Sequence, residues 1–345
     1  MSEVIVVSNA MDLHAHVVLE VLERRGVAAR LLPIPDYPTR LHLSLEHDGP
    51  SLELETRARG AAGLRPDALA VWVRRPHAPL LDARIDDRDH PRATREARAV
   101  LDSFMCAMAP AALWVNPWGS ARLTGRKPLQ LAQARACGFA TPPTLFSSDP
   151  ARIRAFARRF DGPLAFKTLF PNEHPTTRLT AATLPDDELL SLTPGIYQPF
   201  LDKRFELRVT MVGPHAFTAR IDPPRTGEGA VDWRVATHRV PAEELVHLQP
   251  DHLPEPVRAR CWALMQRLGL AYAAIDLVVT PDDELYFLEL NESGQFLFVE
   301  SHTELPITDA LATMLAAGSV EFPWAPARAT TWFQGELREA AGRRM

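Results

Sequence analysis

Asp276, Glu289 and Asn291 lie on two apolar runs, Ala274–Thr280 and Leu285–Asn291, parted by Pro281-Asp282-Asp283-Glu284. Runs joined by so short a turn-forming segment pair as an antiparallel hairpin. A centre between Asp282 and Asp283 sets Asp276 directly opposite Glu289. Asn291 points from the same face, because strand side chains alternate. Opposed carboxylates stand roughly 5 Å apart and repel. Among Ile275, Leu277, Leu288 and Leu290 the pair therefore calls for a cation between its members. Two carboxylates and an amide suit Mg²⁺, which completes its shell with phosphate oxygens and water. The other reading is a solvent-facing polar edge of an ordinary hairpin; Glu-x-Asn alone is common, and the opposed Asp lends the metal reading its weight.

The cations point the same way. Of 38 basic residues only Lys127, Lys167 and Lys203 are lysine, and all others are arginine. An ammonium is a compact point charge that a broad, planar guanidinium does not replace. Lysine kept at these positions fits phosphate binding, against a biased composition with chance survivors.

Composition narrows the partner. A chain of 345 residues, 46% hydrophobic, buries a sizeable core and divides into two or three domains. A net charge of −5, with both signs interspersed, lacks the basic stripe of a nucleic-acid binder, so a small or peptidic partner is expected. Cys106, Cys137 and Cys261 lie far apart without CxxC spacing, which suits a reducing cytoplasm and no disulfide framework. No basic n-region opens the chain and no apolar run reaches membrane-spanning length, so a soluble, cytoplasmic protein is expected.

The elements that must position these residues read as α/β. Val4–Ser8 is a buried strand, Asp12 caps a helix ending at Gly26, and the turn between them has no GxGxxG. Leu41–His47 and Ser51–Glu55 form a hairpin about Asp48-Gly49-Pro50, Ala70–Val73 is a strand, and a charged helix runs from Pro91 to Met108. After strand Leu113–Val115 come helix 124–137, closed by Gly138, a linker at Pro142-Pro143, helix 150–160 and strand Leu164–Thr168. Strands dominate from Ile196 to Val240; helix 255–268, the hairpin and a helix over 303–316 follow. His14 and His16, two apart on a helix, share no face and are not read as ligands. Trp72, Trp114, Trp118 and Trp233 read as packing residues.

Taken together these positions resemble the ATP-grasp superfamily. The order is a lysine at a helix start (Arg126-Lys127-Pro128-Leu129-Gln130-Leu131), a lysine on a strand (Ala165-Phe166-Lys167) and a hinge (Ile196-Tyr197-Gln198-Pro199-Phe200-Leu201). Glu206-Leu207-Arg208-Val209 and the Asp276, Glu289, Asn291 group follow. More narrowly, the chain resembles the graspetide synthetases, microviridin-type maturases that cross-link side chains of a ribosomal precursor peptide. That likeness rests on Val71-Trp72-Val73-Arg74-Arg75-Pro76, Trp114-Val115-Asn116-Pro117, the Lys-Pro-x-Gln-Leu run, Val231-Asp232-Trp233-Arg234, and Leu288-Glu289-Leu290-Asn291-Glu292-Ser293-Gly294-Gln295-Phe296. Two departures stand out: Glu292 replaces the family's proline beside the metal ligand, and loop 169–178 has no glycine.

The resemblance implies an ATP-grasp fold: an N-terminal pre-ATP-grasp α/β domain (1–118), a central lobe (119–195), a C-terminal lobe with the metal site (196–322) and a peripheral tail (323–345). It implies ATP with Lys127 and Lys167 on phosphate oxygens, adenine against the backbone of Gln198, Pro199, Phe200 and Leu201, and Lys203 and Glu206 along the nucleotide edge. For Lys203 and Glu206 a surface ion pair is the other reading. Arg208 and Arg234, with Arg220 as a third candidate, would stabilise the transferred phosphoryl group. Arg74 and Arg75 would meet an acidic peptide. The implied activity is macrocyclisation of a precursor peptide with a leader and an Asp/Glu-containing core, using ATP and Mg²⁺, without nucleic acid or membrane; the family also suggests a homodimer. The rivals are an ATP-grasp ligase acting on a small acid or a protein terminus, and a non-enzymatic nucleotide sensor or scaffold.

Overall fold

A computed structural model describes residues 3–47, 52–58, 68–76, 78–120, 124–169, 175–222 and 247–325. Arg234 and Trp233, the hairpin tip at 48–51, positions 170–174 of the glycine-free loop and the tail from 326 lie outside these residues.

Strand β1 (Val4–Ser8) is apolar up to Ser8 and is buried on both faces, as a parallel-sheet strand requires. The Asp12 side chain accepts from the His14 N–H and so starts helix α1 (Leu13–Arg24). The helix returns the chain to β2 (Ala29–Pro33), and β5 (Ala70–Val73) and β6 (Leu113–Val115) complete a parallel sheet of order β2-β1-β5-β6. Between them β3 (Leu41–His47) and β4 (Leu52–Ala58) form a separate hairpin, and α2 (His90–Ala107) covers one face. The faces divide by alternation. Ile5 and Val7 pack with Leu101 and Phe104 of α2, whereas Val4 and Val6 pack with Val18 and Leu22 of α1.

The chain continues through α3 (Lys127–Ala136) into a second, antiparallel sheet of β7 (Leu145–Ser147), β8 (Leu164–Lys167), β9 (Thr177–Leu179) and β10 (Gly195–Pro199), in the order β7-β10-β8-β9. Asp149 caps α4 (Pro150–Ala157), and α5 (Asp187–Leu192) lies beside it. Ile153 and Phe156 bury against Leu164 and Tyr197. This sheet includes Gly195–Pro199, so the hinge strand belongs with the central elements.

The third sheet positions the site. It runs β13-β12-β11-β14-β15, all antiparallel, from β11 (Phe205–Val212), β12 (His215–Asp222), β13 (His247–Asp251), β14 (Tyr272–Val279) and β15 (Leu285–Asn291). Leu207, Val209, Ile275, Leu277, Phe287 and Leu290 face α3 and α6 (Glu255–Leu268). The register at the site is the expected one, Asp276 opposite Glu289 and Ala274 opposite Asn291, but nearer the turn it moves by one, Leu277 opposite Phe287. The hairpin loop is three residues, closed by Asp283 N–H to Thr280 carbonyl at 3.0 Å with Asp283 at φ 62°. Leu288 is the additional residue of the resulting bulge. The shift puts Phe287, fully buried, on the apolar face while leaving Glu289 on the other.

Among the described residues two helices follow β15, α7 (Leu297–Thr303) and α8 (Ile307–Ala317), where one over 303–316 is expected from the sequence. Leu311 and Met314 of α8 and Phe296 join Val212, Phe217 and Tyr272 of the third sheet to Val4, Val6 and Trp72 of the first. One core thus spans the two ends of the chain. Among the described residues no helix is long and apolar enough to cross a membrane.

Candidate active site

Adjacent strands set Arg208, Asp276 and Glu289 in a row across one face of the third sheet. Arg208 gives its Nη1 to both carboxylate oxygens of Asp276, at 2.8 and 3.0 Å. Lys127 hydrogen-bonds Glu289 Oε2, and Asn291 Nδ2 lies 3.4 Å from Glu289 Oε1. The repulsion between the opposed carboxylates is thus met by a cation on each side. Lys127 opens α3, where the helix dipole disfavours a cation; its fit there comes from Glu289 rather than from the helix. Burial raises the Asp276 pKa and Glu289 adds to the rise, while Arg208 opposes it.

Lys167, at the end of β8, stands in the field of the same groups. Its pKa is pushed down to about 8, chiefly by burial and further by Lys127 and Lys203, with Glu289 and Glu206 acting the other way. The three lysines therefore converge, although they come from a helix start, a strand end and a turn. Lys203 Nζ bonds Glu206 Oε1 at 2.6 Å, with side-chain exposures of only 14% and 7%, so this is a largely buried pair and not a surface one.

Among the described residues no group of three or more His, Cys, Asp or Glu could hold a metal by itself. Asp276, Glu289 and Asn291 offer two carboxylates and an amide. This donor set fits Mg²⁺, which keeps several positions for phosphate and water. The Arg208 Nε is buried without a partner, a donor that a neighbouring anion could use.

The segment after β15 is held through its backbone. Gln130 of α3 accepts from the Leu290 N–H at 3.0 Å and donates to its carbonyl at 2.8 Å. The Gly294 N–H bonds the Asn291 carbonyl at 3.3 Å. Asn116 Nδ2 donates to the Glu292 carbonyl at 2.8 Å, Arg74 Nη1 to that of Ser293 at 2.5 Å, and the Tyr272 hydroxyl to that of Gly294 at 2.8 Å. Arg208 Nη2 lies 3.4 Å from the Gln295 carbonyl. Position 294 must be glycine, since a Cβ there would overlap the Ala274 Cβ and stand 3.0 Å from Arg208 Nη2. A cavity of about 180 Å³ opens beside this segment, walled by Val73, Leu101 and Trp118 of the N-terminal elements and by Glu292 and Ser293.

Other expected residues lie apart. Arg220 pairs across the sheet with Leu207, on the face turned away from Arg208. Its Nε bonds Asp222 at 2.8 Å and its guanidinium covers the Phe205 ring at 4.1 Å. This placement separates it from the Asp276 row. Arg74 is 1% exposed and its Nη1 is engaged with the Ser293 carbonyl, whereas Arg75 is exposed. In the hinge, Gln198 Nε2 bonds Thr144 Oγ1 at 3.0 Å and the Phe200 N–H bonds the Pro163 carbonyl at 2.9 Å. Asn116, Gln130 and Tyr272, which hold this segment, carry no sequence signal for that role, although Asn116 and Gln130 sit inside the motifs that carry the family resemblance.

No family model and no curated protein matches the chain. Solved structures do. The macrocyclase MdnC bound with precursor peptide MdnA, from Microcystis aeruginosa MRC, is 27% identical over 92% of this chain and 100% of that one, with a TM-score of 0.78. The chain is an ATP-grasp ligase. The match is consistent with the graspetide synthetases that its motifs resemble. At the level of fold alone, this ligase also matches a Chryseobacterium gregarium RiPP-associated ATP-grasp ligase in complex with ADP and a leader and core peptide, at 22% identity over 96% of this chain and 100% of that one, TM-score 0.82. PsnB, complexed with a phosphomimetic variant of minimal precursor, Mg and ADP, is 23% identical over 92% and 99%, TM-score 0.74.

Proposed function

We propose that this ligase uses ATP and Mg²⁺ to cross-link side chains of a ribosomal precursor peptide. The observation that carries the reading is the convergence of Lys127, Lys167 and Arg208 on the Asp276–Glu289 pair, in a chain similar to a macrocyclase bound with its precursor peptide. In the first step an Asp or Glu side-chain carboxylate of the peptide attacks the γ-phosphorus of ATP, the bond to the β-phosphate oxygen breaks, and ADP leaves an acyl phosphate. A Ser or Thr hydroxyl, or a Lys amine, of the same peptide then attacks the acyl carbon. Phosphate departs with the acyl oxygen, the nucleophile gives up its proton, and an ω-ester or ω-amide remains.

The chain's own groups bind and neutralise. Lys127 and Lys167 take phosphate oxygens, Lys203 and Glu206 line the nucleotide, and Arg208 bears on the transferred group. Mg²⁺ held by Asp276, Glu289 and Asn291 would supply charge neutralisation at the phosphates. In the hinge, Pro199 has no N–H and that of Phe200 is taken by Pro163, so Leu201 is the backbone donor best able to meet an adenine edge. The cavity beside Glu292 and Ser293 opens next to the last metal ligand, where the peptide would approach, with Arg75 exposed nearby for an acidic side chain. The test is Glu289→Gln. Turnover is expected to fall at least about 10²-fold with the protein still folded, and undiminished activity overturns the metal assignment.

A further inference from the structure

We infer that Asn116, in the N-terminal domain, is a positioning residue for the metal-binding face: it fixes the metal-ligand strands to each other and to the first domain. The inference rests on the proposed Mg²⁺ site and adds to it a dependence on a residue that would touch neither metal nor nucleotide.

Asn116 is 3% exposed and follows β6 directly. Its Oδ1 accepts from the Ala271 N–H at 2.8 Å and the Tyr272 N–H at 3.0 Å. Its Nδ2 donates to the Tyr272 carbonyl at 2.8 Å and the Glu292 carbonyl at 2.8 Å. A primary amide has two donors and an acceptor oxygen with two lone pairs, so this one is saturated. The groups it holds are specific to the site. Tyr272 opens the strand carrying Asp276, and Glu292 follows Asn291 directly. One planar amide therefore sets the offset between the two strands from which the metal ligands project.

The neighbouring bonds act on the same segment. Gln130 fixes Leu290 on one side of Asn291, and Arg74 and the Tyr272 hydroxyl fix Ser293 and Gly294 on the other. Burial pushes the Tyr272 pKa up to about 12, so its hydroxyl stays a donor at neutral pH. Each carbonyl from Leu290 to Ser293 has its own donor, two of them supplied by the N-terminal domain through Asn116 and Arg74. Main-chain positions held this way cannot drift when a divalent cation draws on Asn291 and Glu289; preorganisation of this kind is what outer residues contribute to a metal site. Asn116 thereby makes the first domain part of the catalytic apparatus without contact with the reacting atoms.

Asn116→Asp tests the inference, since it keeps the shape and the acceptor oxygen and removes both donors. Mn²⁺ binding to the protein–ADP complex, followed by electron paramagnetic resonance, is compared in the wild type, Asn116→Asp and Leu32→Ala, a cavity variant in the first domain's other core. Thermal stability is recorded for all three. The expected result is an Mn²⁺ affinity lowered about 10- to 100-fold in Asn116→Asp, with ADP affinity measured without metal changed less than about threefold, and an unchanged Mn²⁺ affinity in Leu32→Ala despite its lower melting temperature. If the wild type binds Mn²⁺ and Asn116→Asp binds it equally well, the positioning role is wrong while the metal site stands. If Leu32→Ala loses as much affinity as Asn116→Asp, the effect is general destabilisation and the inference is overturned. If the wild-type complex binds no Mn²⁺, the metal site itself fails and the inference goes with it.

Discussion

Lys167 is the residue through which pH should reach the nucleotide. Its folded pKa, about 8, lies below the ordinary lysine value because burial and two neighbouring lysines oppose its charge. Triphosphate would favour the charged form, so binding takes up a proton whenever Lys167 is neutral. ATP affinity should therefore be constant below pH 8 and decline as pH rises through that value. A calorimetric pH series checks this, and Lys167→Met should remove the pH dependence along with roughly 10-fold or more of the affinity. The sign for folding is opposite: the unfolded chain binds the proton more tightly, so this group's effect on stability becomes more favourable between pH 8 and the unfolded lysine pKa. Gly294→Ala is the second residue-scale prediction. A methyl group wedged between Ala274 and Arg208 should cost about 1–3 kcal/mol of stability in a denaturant titration and lower turnover along with it. The pairing of Asp276 with Glu289 was legible in sequence from the two apolar runs, although the turn itself differs from the expected one and the bulge at Leu288 restores the register at the site. The face of Arg220 was not, since it depends on the pairing of β12 with β11, which no local pattern encodes.

At the level of elements, the strands and helices with strong periodicity and caps stand where the sequence put them. Helix 255–268 and strand Leu113–Val115 match residue for residue. The divergences have local causes. The β14–β15 hairpin closes on a three-residue loop with Asp283 in the left-handed region, a conformation that Asp tolerates but that its sequence does not announce, and burial of Phe287 then selects the bulge. Helix α7 carries no sequence signal because its N-cap residue, Phe296, makes no side-chain cap and its C-cap residue, Glu304, is also left-handed, where glycine would be the usual signal. Motif residues Asn116 and Gln130 were visible, but their partners are main-chain groups more than a hundred positions away. Gln130→Ala leaves the Leu290 N–H and carbonyl buried without their side-chain partner. It should lower unfolding free energy by roughly 2–4 kcal/mol, read from denaturant midpoints, and a loss below about 0.5 kcal/mol would show that the strand end is held by other contacts.

The whole molecule is tied together at its ends. The core beneath β1 and α1 is completed by Tyr272, Phe296 and helix α8, so the first and third sheets bury one another's apolar surface. The first and third sheets should therefore unfold in a single transition by calorimetry and tryptophan fluorescence; a separate early melt of the first sheet would contradict this. The smaller second sheet, with its own core around Ile153 and Phe156, carries Lys167 and the hinge against that fixed base.

The most direct measurement for the ligase as a peptide cross-linker is the intact mass of the short Asp/Glu-rich peptide encoded nearest its gene, after incubation with the enzyme, Mg²⁺ and ATP. The expected result is loss of one or more waters, dependent on ATP and absent with Glu289→Gln. An unchanged peptide mass from wild-type protein that demonstrably binds ATP would contradict that pairing and move the weight to an acid substrate outside the peptide class.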